Sequence, residues 1–220
     1  MGLKRTWAAC VIIAAAISAN AAARTHISQD SIDSYHQALS EKNRPKAKAL
    51  LHGLLIDRLT VGVDLSTLQQ GDDTSIEGIR SAINLWNQSL GQPVFRMEPS
   101  SVTANIVVRL VNKVQGEGTD IQGCLQFQRN LTWNHIESTA RVVGQVEIRD
   151  NLDDRYLTKS EVTRVMTHEL GHLLGLDDSS DDTGVMADFI PGEGIKKPSA
   201  EELGSVTDFR KKLRAALDAR

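Results

Sequence analysis

Cysteine is scarce in this chain of 220 residues, which contains only Cys10 and Cys124. Cys10 lies in an N-terminal stretch that we expect to be removed, so Cys124 would be left alone and could form no intramolecular disulfide. A chain of this length can bury an ordinary hydrophobic core without a disulfide framework. The run around Cys124, residues 123–127, is strand-like, and we expect the thiol there to be a small buried side chain.

Aromatic residues are also few, at 4% of the chain, and the formal net charge is only −3. Such a chain offers little surface on which nucleic-acid bases could stack, and no net positive charge to attract phosphates or anionic membranes. After residue 23, no apolar run is long enough to cross a bilayer. These absences argue against nucleic acid and stable membrane association. The length fits one domain plus short appendages, and we expect a monomer.

Residues 1–23 have the pattern of a secretory signal peptide. Lys4 and Arg5 form a short positive region, residues 7–17 form an apolar run, and small residues at 19–23 offer cleavage sites. We therefore predict that the protein is secreted or periplasmic. An uncleaved N-terminal anchor is the alternative.

Residues 24–57 are polar at first and then amphipathic. Asn43 and Pro45 favour the start of a helix, because proline is tolerated in the first helical turn. The segment is either a removable propeptide or a permanent N-terminal helical extension, and the pattern does not decide between them. Four leucines would form the apolar side of its helix: Leu50, Leu51, Leu54 and Leu55.

The most informative stretch is the H-E-x-x-H motif formed by His168, Glu169 and His172. On a helix, the two histidines would lie about 40° apart around the axis and about 6 Å apart along it, on one face. Two imidazoles so placed can occupy two corners of a tetrahedral zinc site. Glu169 points partly away from them and can hold a water molecule beside the metal. The alternative is a core helix whose histidines merely form hydrogen bonds.

A third metal ligand would have to come from beyond this helix. Gly175 can adopt the left-handed conformation that ends helices, so the chain could turn back and present Asp178 to the metal. Asp177 is a neighbouring option, but the spacing from Gly175 favours Asp178. A solvated acidic turn that continues through Asp181 and Asp182 is the other interpretation.

The motif that ends at Asp178 resembles H-E-x-x-H-x-x-G-x-x-(H/D) of the metzincin clan of zinc endopeptidases. Met186 resembles the Met-turn of that clan, and its offset from Asp178 is similar to that in the matrixin branch. An aspartate as third ligand resembles snapalysin-type bacterial members. The chain also departs from the clan, because no tyrosine follows Met186 and no counterpart of the matrixins' structural-zinc histidines or calcium loop is evident.

The resemblance implies that residues 58–220 form an α+β catalytic domain with a metzincin-like zincin fold. This fold would have a twisted mixed sheet with an antiparallel edge strand, an active-site helix, a Met-turn and a C-terminal helix. It further implies a zinc metalloendopeptidase that hydrolyses proteins or peptides. His168, His172 and Asp178 would then hold Zn2+, and Glu169 would be the general base. A non-catalytic zinc- or peptide-binding module that retains the fold is the alternative.

Local patterns place the other elements of this domain. A helical repeat covers residues 76–90, and capping boxes at Thr158 with Glu161 and at Ser199 with Glu202 begin two further helices. By resemblance, the strand predicted at residues 141–148 would be the antiparallel edge strand. An acidic loop at 150–155 could bind calcium or be solvated. Strands are predicted at residues 59–65, 94–97, 104–111, 121–128 and 141–148.

Overall fold

The computed structural model describes residues 11–12, 29–68, 73–114, 122–134, 136–152 and 155–218. The predicted signal peptide therefore lies almost wholly outside the described residues. No helix within these ranges is both long and apolar enough to cross a membrane. In chain order the elements are β1 (Val11–Ile12), α1 (Gln29–Ser40), α2 (Arg44–Leu54), β2 (Leu59–Val63), α3 (Asp73–Ser89), β3 (Phe95–Met97), β4 (Ile106–Val111), β5 (Gly123–Trp133), β6 (Ser138–Arg149), β7 (Asn151–Leu152), β8 (Arg155–Tyr156), α4 (Lys159–Leu173) and α5 (Ala200–Asp218).

The main sheet is mixed, with the strand order β1-β5-β6-β4-β2-β3. Strands β6, β4, β2 and β3 run parallel to one another, whereas β5 runs antiparallel to β6. The two-residue strand β1 pairs antiparallel with β5 at Phe127 and Gln126. Together with helices α1 to α5, this sheet gives a mixed α+β fold, as the resemblance implied.

The prediction that residues 141–148 form the antiparallel edge strand is wrong. These residues belong to β6, which is an inner strand that pairs with β4 on one side and β5 on the other. If the two-residue strand β1 is set aside, the antiparallel strand at the edge of the sheet is β5. Burial explains the difference, because even Glu147 of β6 is only 3% exposed. In β5, by contrast, Gln126 and Gln128 remain half-buried, as is common in a strand near the margin of a sheet.

Local signals set the limits of helix α4. The Thr158 side chain accepts a hydrogen bond from the Glu161 backbone, and the Glu161 side chain accepts one from the Thr158 backbone, which is the predicted capping box. Beyond the other end, Gly175 has a φ of +94°. This left-handed conformation turns the chain back toward the helix face, as the sequence predicted.

The main core lies between the sheet and helices α3 and α4, which pack along each other. Trp86 of α3 is fully buried there, and its indole N–H donates to the carbonyl of Thr167, 2.8 Å away. Trp86 therefore holds the backbone of α4 immediately before His168.

Helix α2 packs against β5, β6 and α5. Its Leu51 and Leu54 are buried against Leu213 of α5. The carbonyl of Gly53 accepts a hydrogen bond from Arg129 Nε at 2.8 Å, and the carbonyl of Pro45 accepts one from the Ser138 hydroxyl at 2.8 Å. Whether residues 24–57 are removed in the mature protein stays a prediction.

Candidate metal centre

Three predicted ligands converge at the C-terminal half of α4. Nε2 of His168 lies 3.0 Å from Oδ1 of Asp178, and Nε2 of His172 lies 3.4 Å from the same oxygen. These three atoms all lie within 4.8 Å of one another. In a tetrahedral zinc site with bonds of about 2.0–2.1 Å, neighbouring donor atoms are about 3.3 Å apart, so the two distances to Asp178 Oδ1 are close to what zinc requires.

Hydrogen bonds on the far side of each imidazole determine what the near side can do. His168 Nδ1 lies 3.1 Å from the carbonyl of Val185, and His172 Nδ1 lies 2.9 Å from the carbonyl of Leu176. Because a carbonyl only accepts, each Nδ1 carries the proton, and Nε2 of the neutral ring is left as an acceptor. Two Nε2 atoms and the Asp178 carboxylate thus present lone pairs to one point, where a cation or an added proton is needed to stabilise them. This donor set fits a zinc ion.

The electrostatics of the metal-free site show the same demand for positive charge. Burial would lower the pKa of His172, but the Asp178 hydrogen bond and the charges of Glu169 and Asp178 outweigh it and raise that pKa to about 9. Burial would raise the pKa of Asp178, yet hydrogen bonds that His168 and His172 donate when an added proton occupies Nε2 hold it well below its usual value. Metal binding would replace the proton that this arrangement favours.

The side chain of Glu169, which lies on α4, is buried against the outer strand β5, with 5% of its surface exposed. A Cβ placed on Gly123 would lie 2.5 Å from Glu169 Oε1 and 2.6 Å from Val165, so only glycine leaves room there for the carboxylate. The backbone of Leu125 also forms a hydrogen bond with Glu169. Burial raises the pKa of Glu169, and the two histidines offset part of this rise.

The structure distinguishes the two neighbouring aspartates after the helix. Asp178 contacts both imidazoles, whereas Asp177 is not a member of the donor group. Among the described residues, this is the one group of three histidine, cysteine, aspartate or glutamate side chains spaced to hold a metal. Asp153 and Asp154 of the predicted acidic loop lie outside the described residues, so a calcium site there stays a prediction.

The turn that contains Met186 lies beneath the centre. The Met186 side chain packs against Gly171, between the two histidines on α4, with Trp86 nearby. The Met186 carbonyl accepts a hydrogen bond from the Ser179 backbone at 2.9 Å, immediately after Asp178. The turn therefore supports the helix through a side chain and the Asp178 loop through its backbone.

A sequence model of the matrixin family matches residues 56–201, which is about two thirds of the chain and includes the whole centre. The chain belongs to the matrixin family. Matrixins are zinc-dependent peptidases, so this matrixin is a metallopeptidase of the hydrolase class with a protein or peptide substrate. No curated protein matches the chain. The narrower likeness to snapalysin-type members stays a prediction.

Two charged side chains hold the Met186 turn in this matrixin. Arg164 of α4 donates to the carbonyls of Val185 and Ala187, and Glu202 of α5 accepts from the backbone N–H groups of Val185 and Met186. Both are buried. The sequence pattern identified Glu202 only as a helix cap. No pattern pointed to Arg164, although a charged residue on the inner face of a buried helix is an unusual signal.

Cys124 is a free cysteine. The sequence predicted a buried side chain, and the side chain is buried only in part. It lies on β5 next to Gly123, and burial raises the pKa of its thiol. A thiol with a raised pKa is a poor metal ligand at neutral pH. Cys124 is therefore not part of the donor group.

Proposed function

We propose that this matrixin is a secreted or periplasmic zinc endopeptidase. His168, His172 and Asp178 would hold the zinc ion, and Glu169 would be the general base. The observation that carries the proposal is the convergence of three lone-pair donors beside a buried carboxylate. A structural zinc site has no need of such a carboxylate, whereas a hydrolytic site does.

When bound, zinc acts as a Lewis acid that makes water easier to deprotonate and a peptide carbonyl easier to attack. Glu169 lies next to this position and can accept a proton from the attacking water. Burial raises the pKa of Glu169, which makes its carboxylate a stronger base for this proton. The protonated carboxyl can then donate the proton to the leaving amine. The partly exposed His168 and the exposed Asp178 leave one side of the donor group open to substrate.

The outer strand β5 supports a peptide as the substrate. β5 passes Glu169 at Gly123 and Leu125, and its outer side pairs with only the two residues of β1 in the described chain. An extended peptide could form backbone hydrogen bonds along this side, which would bring its peptide bonds next to Glu169. Pairing along a strand does not require a chain end, so internal peptide bonds are the expected targets.

The test is to purify the chain without residues 1–23, measure its zinc content and incubate it with casein. We expect one zinc ion per chain, together with internal cleavage that a chelator abolishes and added zinc restores. Mass spectrometry of the fragments distinguishes internal cleavage from removal of terminal residues, and the latter would contradict an endopeptidase. Zinc without cleavage would favour the non-catalytic binding module, and a chain that binds no zinc would refute the proposal.

Export has its own test, because the predicted signal peptide can be followed directly. The full chain would be expressed in a bacterial host, and the protein in the periplasm or medium would be sequenced from its N-terminus. We expect a start near residue 24. Retention of residues 1–23 on the accumulated protein would favour the membrane anchor instead.

A further inference from the structure

Arg164 occupies an unusual position on α4. It lies four residues before His168, so the two side chains lie on the same face of the helix. Only 1% of Arg164 is exposed, and its side chain is among the largest fully buried ones in the described structure. Arginine is almost never fully buried unless its charge is paired, so a specific role is to be expected.

We propose that Arg164 is a positioning residue for the metal centre, which it orients through the carbonyls of the turn beneath it. This inference rests on the proposed zinc site. Arg164 has no contact with the three donor atoms themselves. Its guanidinium group donates from Nη1 to the Val185 carbonyl and from Nη2 to the carbonyls of Ala187 at 2.8 Å and Asp188 at 3.4 Å.

The first of these carbonyls links Arg164 to a proposed ligand. The Val185 carbonyl also accepts the hydrogen bond from His168 Nδ1, at 3.1 Å. Because Arg164 fixes the direction of this carbonyl, it fixes the tautomer and the ring orientation of His168. Both must be correct if Nε2 is to face Asp178.

The second carbonyl links Arg164 to the loop that carries Asp178. Ala187 forms a parallel bridge with Ser179, the residue directly after Asp178. A planar guanidinium fork that holds both Val185 and Ala187 therefore fixes the turn at two points, one on the His168 side and one on the Asp178 side. A residue with a single donor could hold only one of them.

The energetic cost of this arrangement supports a positioning role. A buried guanidinium loses most of its hydration, and no carboxylate forms an ion pair with Arg164 among the described residues. Its Nε has no hydrogen-bond partner there. Glu193, Glu202 and Asp188 offset the charge only from a distance. An apolar side chain would fill this place at less cost, so orientation of the turn is the property that Arg164 provides.

Arg210 offers a matched control elsewhere in the chain. It is also buried, with 3% of its surface exposed, and its guanidinium also donates to a backbone carbonyl, that of Ile56. Arg210 lies on α5 and does not contact the Met186 turn in the described hydrogen bonds. Arg210→Met should therefore cost stability without changing the metal centre.

The experiment compares wild type with Arg164→Met, Arg164→Lys and Arg210→Met. Zinc affinity is measured by competition with a chromophoric chelator, ligand geometry by the visible spectrum of the cobalt-substituted protein, and stability by urea unfolding of the metal-free protein. We expect Arg164→Met to lower zinc affinity by about 10–100-fold, as loss of a partner beyond the ligands typically does, and to alter the cobalt spectrum. Arg164→Lys should recover part of the affinity, and Arg210→Met should keep all of it.

Wild-type zinc affinity and an unchanged cobalt spectrum in a folded Arg164→Met variant would overturn the inference. An equal loss of affinity in Arg210→Met would also overturn it, because the effect would then follow stability alone. If Arg164→Met does not fold, Arg164→Lys decides: wild-type affinity and spectrum would refute the role of the two-point fork. A wild-type chain that binds no zinc would instead refute the proposed function, and the inference with it.

Discussion

The sulfur of Met186 lies directly against Gly171, at the point where α4 passes between its two histidines. A Cβ on residue 171 would overlap this sulfur and come within 3.4 Å of the Trp86 ring. The close approach lets the turn beneath the centre touch the helix backbone itself. The Met186 turn can therefore lie this close to α4 only because residue 171 has no side chain.

We predict that Gly171→Ala destabilises the protein, although the same change in a helix interior usually stabilises it. Alanine favours a helix by about 1 kcal/mol over glycine, but overpacking of a tight core costs about 1–3 kcal/mol. Gly204 of α5 is the control, because a Cβ there meets nothing within 4 Å. Urea unfolding should show a loss for Gly171→Ala and a gain for Gly204→Ala. A gain in both would show that Met186 moves aside at little cost.

Glu169→Gln should separate metal binding from turnover. Glutamine has nearly the shape of glutamate but cannot accept a proton, so we expect zinc affinity to be retained and turnover to fall by about 10²–10⁴-fold. Glu147→Gln is a suitable control, since Glu147 is similarly buried on β6 and lies outside the donor group. Zinc content and peptide cleavage are measured for both variants. A Glu169→Gln enzyme that turns over like wild type would remove Glu169 as the base.

The features that sequence predicted well depend on residues close together in the chain. The capping box needs Thr158 and Glu161, and the helix end needs Gly175, so local geometry alone determines them. The donor group is nearly as local, because His168 and Asp178 are ten positions apart and a single turn of the chain, at Gly175, lies between them. Helical spacing and one glycine were enough to bring these side chains together.

The features that sequence missed depend on distant partners. The outer position of β5 is decided by which strand pairs with β4, and that partner is β6. Arg164 acts on carbonyls 21 and 23 residues later, and a carbonyl leaves no mark in the sequence because every residue has one. The room that Gly123 leaves for Glu169 likewise arises only when β5 and α4 come together.

Replacement of Asp178 should weaken zinc binding, whereas replacement of the neighbouring Asp177 should not. Asp178→Ala removes a carboxylate oxygen that lies 3.0 Å from His168 Nε2. Loss of a residue that only hydrogen-bonds to a metal ligand lowers metal affinity by about 10–100-fold, and loss of the ligand Asp178 should lower zinc affinity further. Asp177→Ala should leave the affinity near that of wild type. Competition with a chromophoric chelator measures both. The reverse outcome would place the third ligand one residue earlier than the structure does.

Acid should weaken the N-terminal end of α4. Hydrogen bonds from Arg155 are the largest of the interactions that lower the pKa of Glu161 to about 2, from 4.5 in an unfolded chain. A carboxyl whose pKa is lower in the folded state stabilises the fold above about pH 4.5 and loses this effect as the pH falls toward 2. Since Arg155 is half-exposed, we expect a contribution of only about 2 kcal/mol.

This loss can be measured on the metal-free protein, so that release of zinc does not contribute. Glu161→Gln should lower the free energy of unfolding at pH 7 and flatten its decline between about pH 5 and pH 2. Glu201→Gln, which changes an exposed carboxylate at the start of α5, should leave both unchanged. Parallel pH profiles for wild type and Glu161→Gln would show that the carboxylate of Glu161 contributes no net stability.

Helix α2 lies outside the matrixin match, yet it packs against β5 and β6 of the matched domain and forms a small apolar cluster with Leu213 of α5. We therefore expect residues 29–57 to remain in the mature enzyme. Leu54 is 7% exposed and packs in the cluster with Leu213, so Leu54→Asp should cost about 3 kcal/mol or more by placing an unpaired charge there. Leu39 of α1 is 44% exposed, and Leu39→Asp should cost almost nothing. Urea unfolding, together with N-terminal sequencing of the active enzyme, tests both statements. A stable, fully active enzyme that begins near residue 58 would show that α2 is a removable propeptide, and Leu54→Asp would then leave that enzyme unaffected.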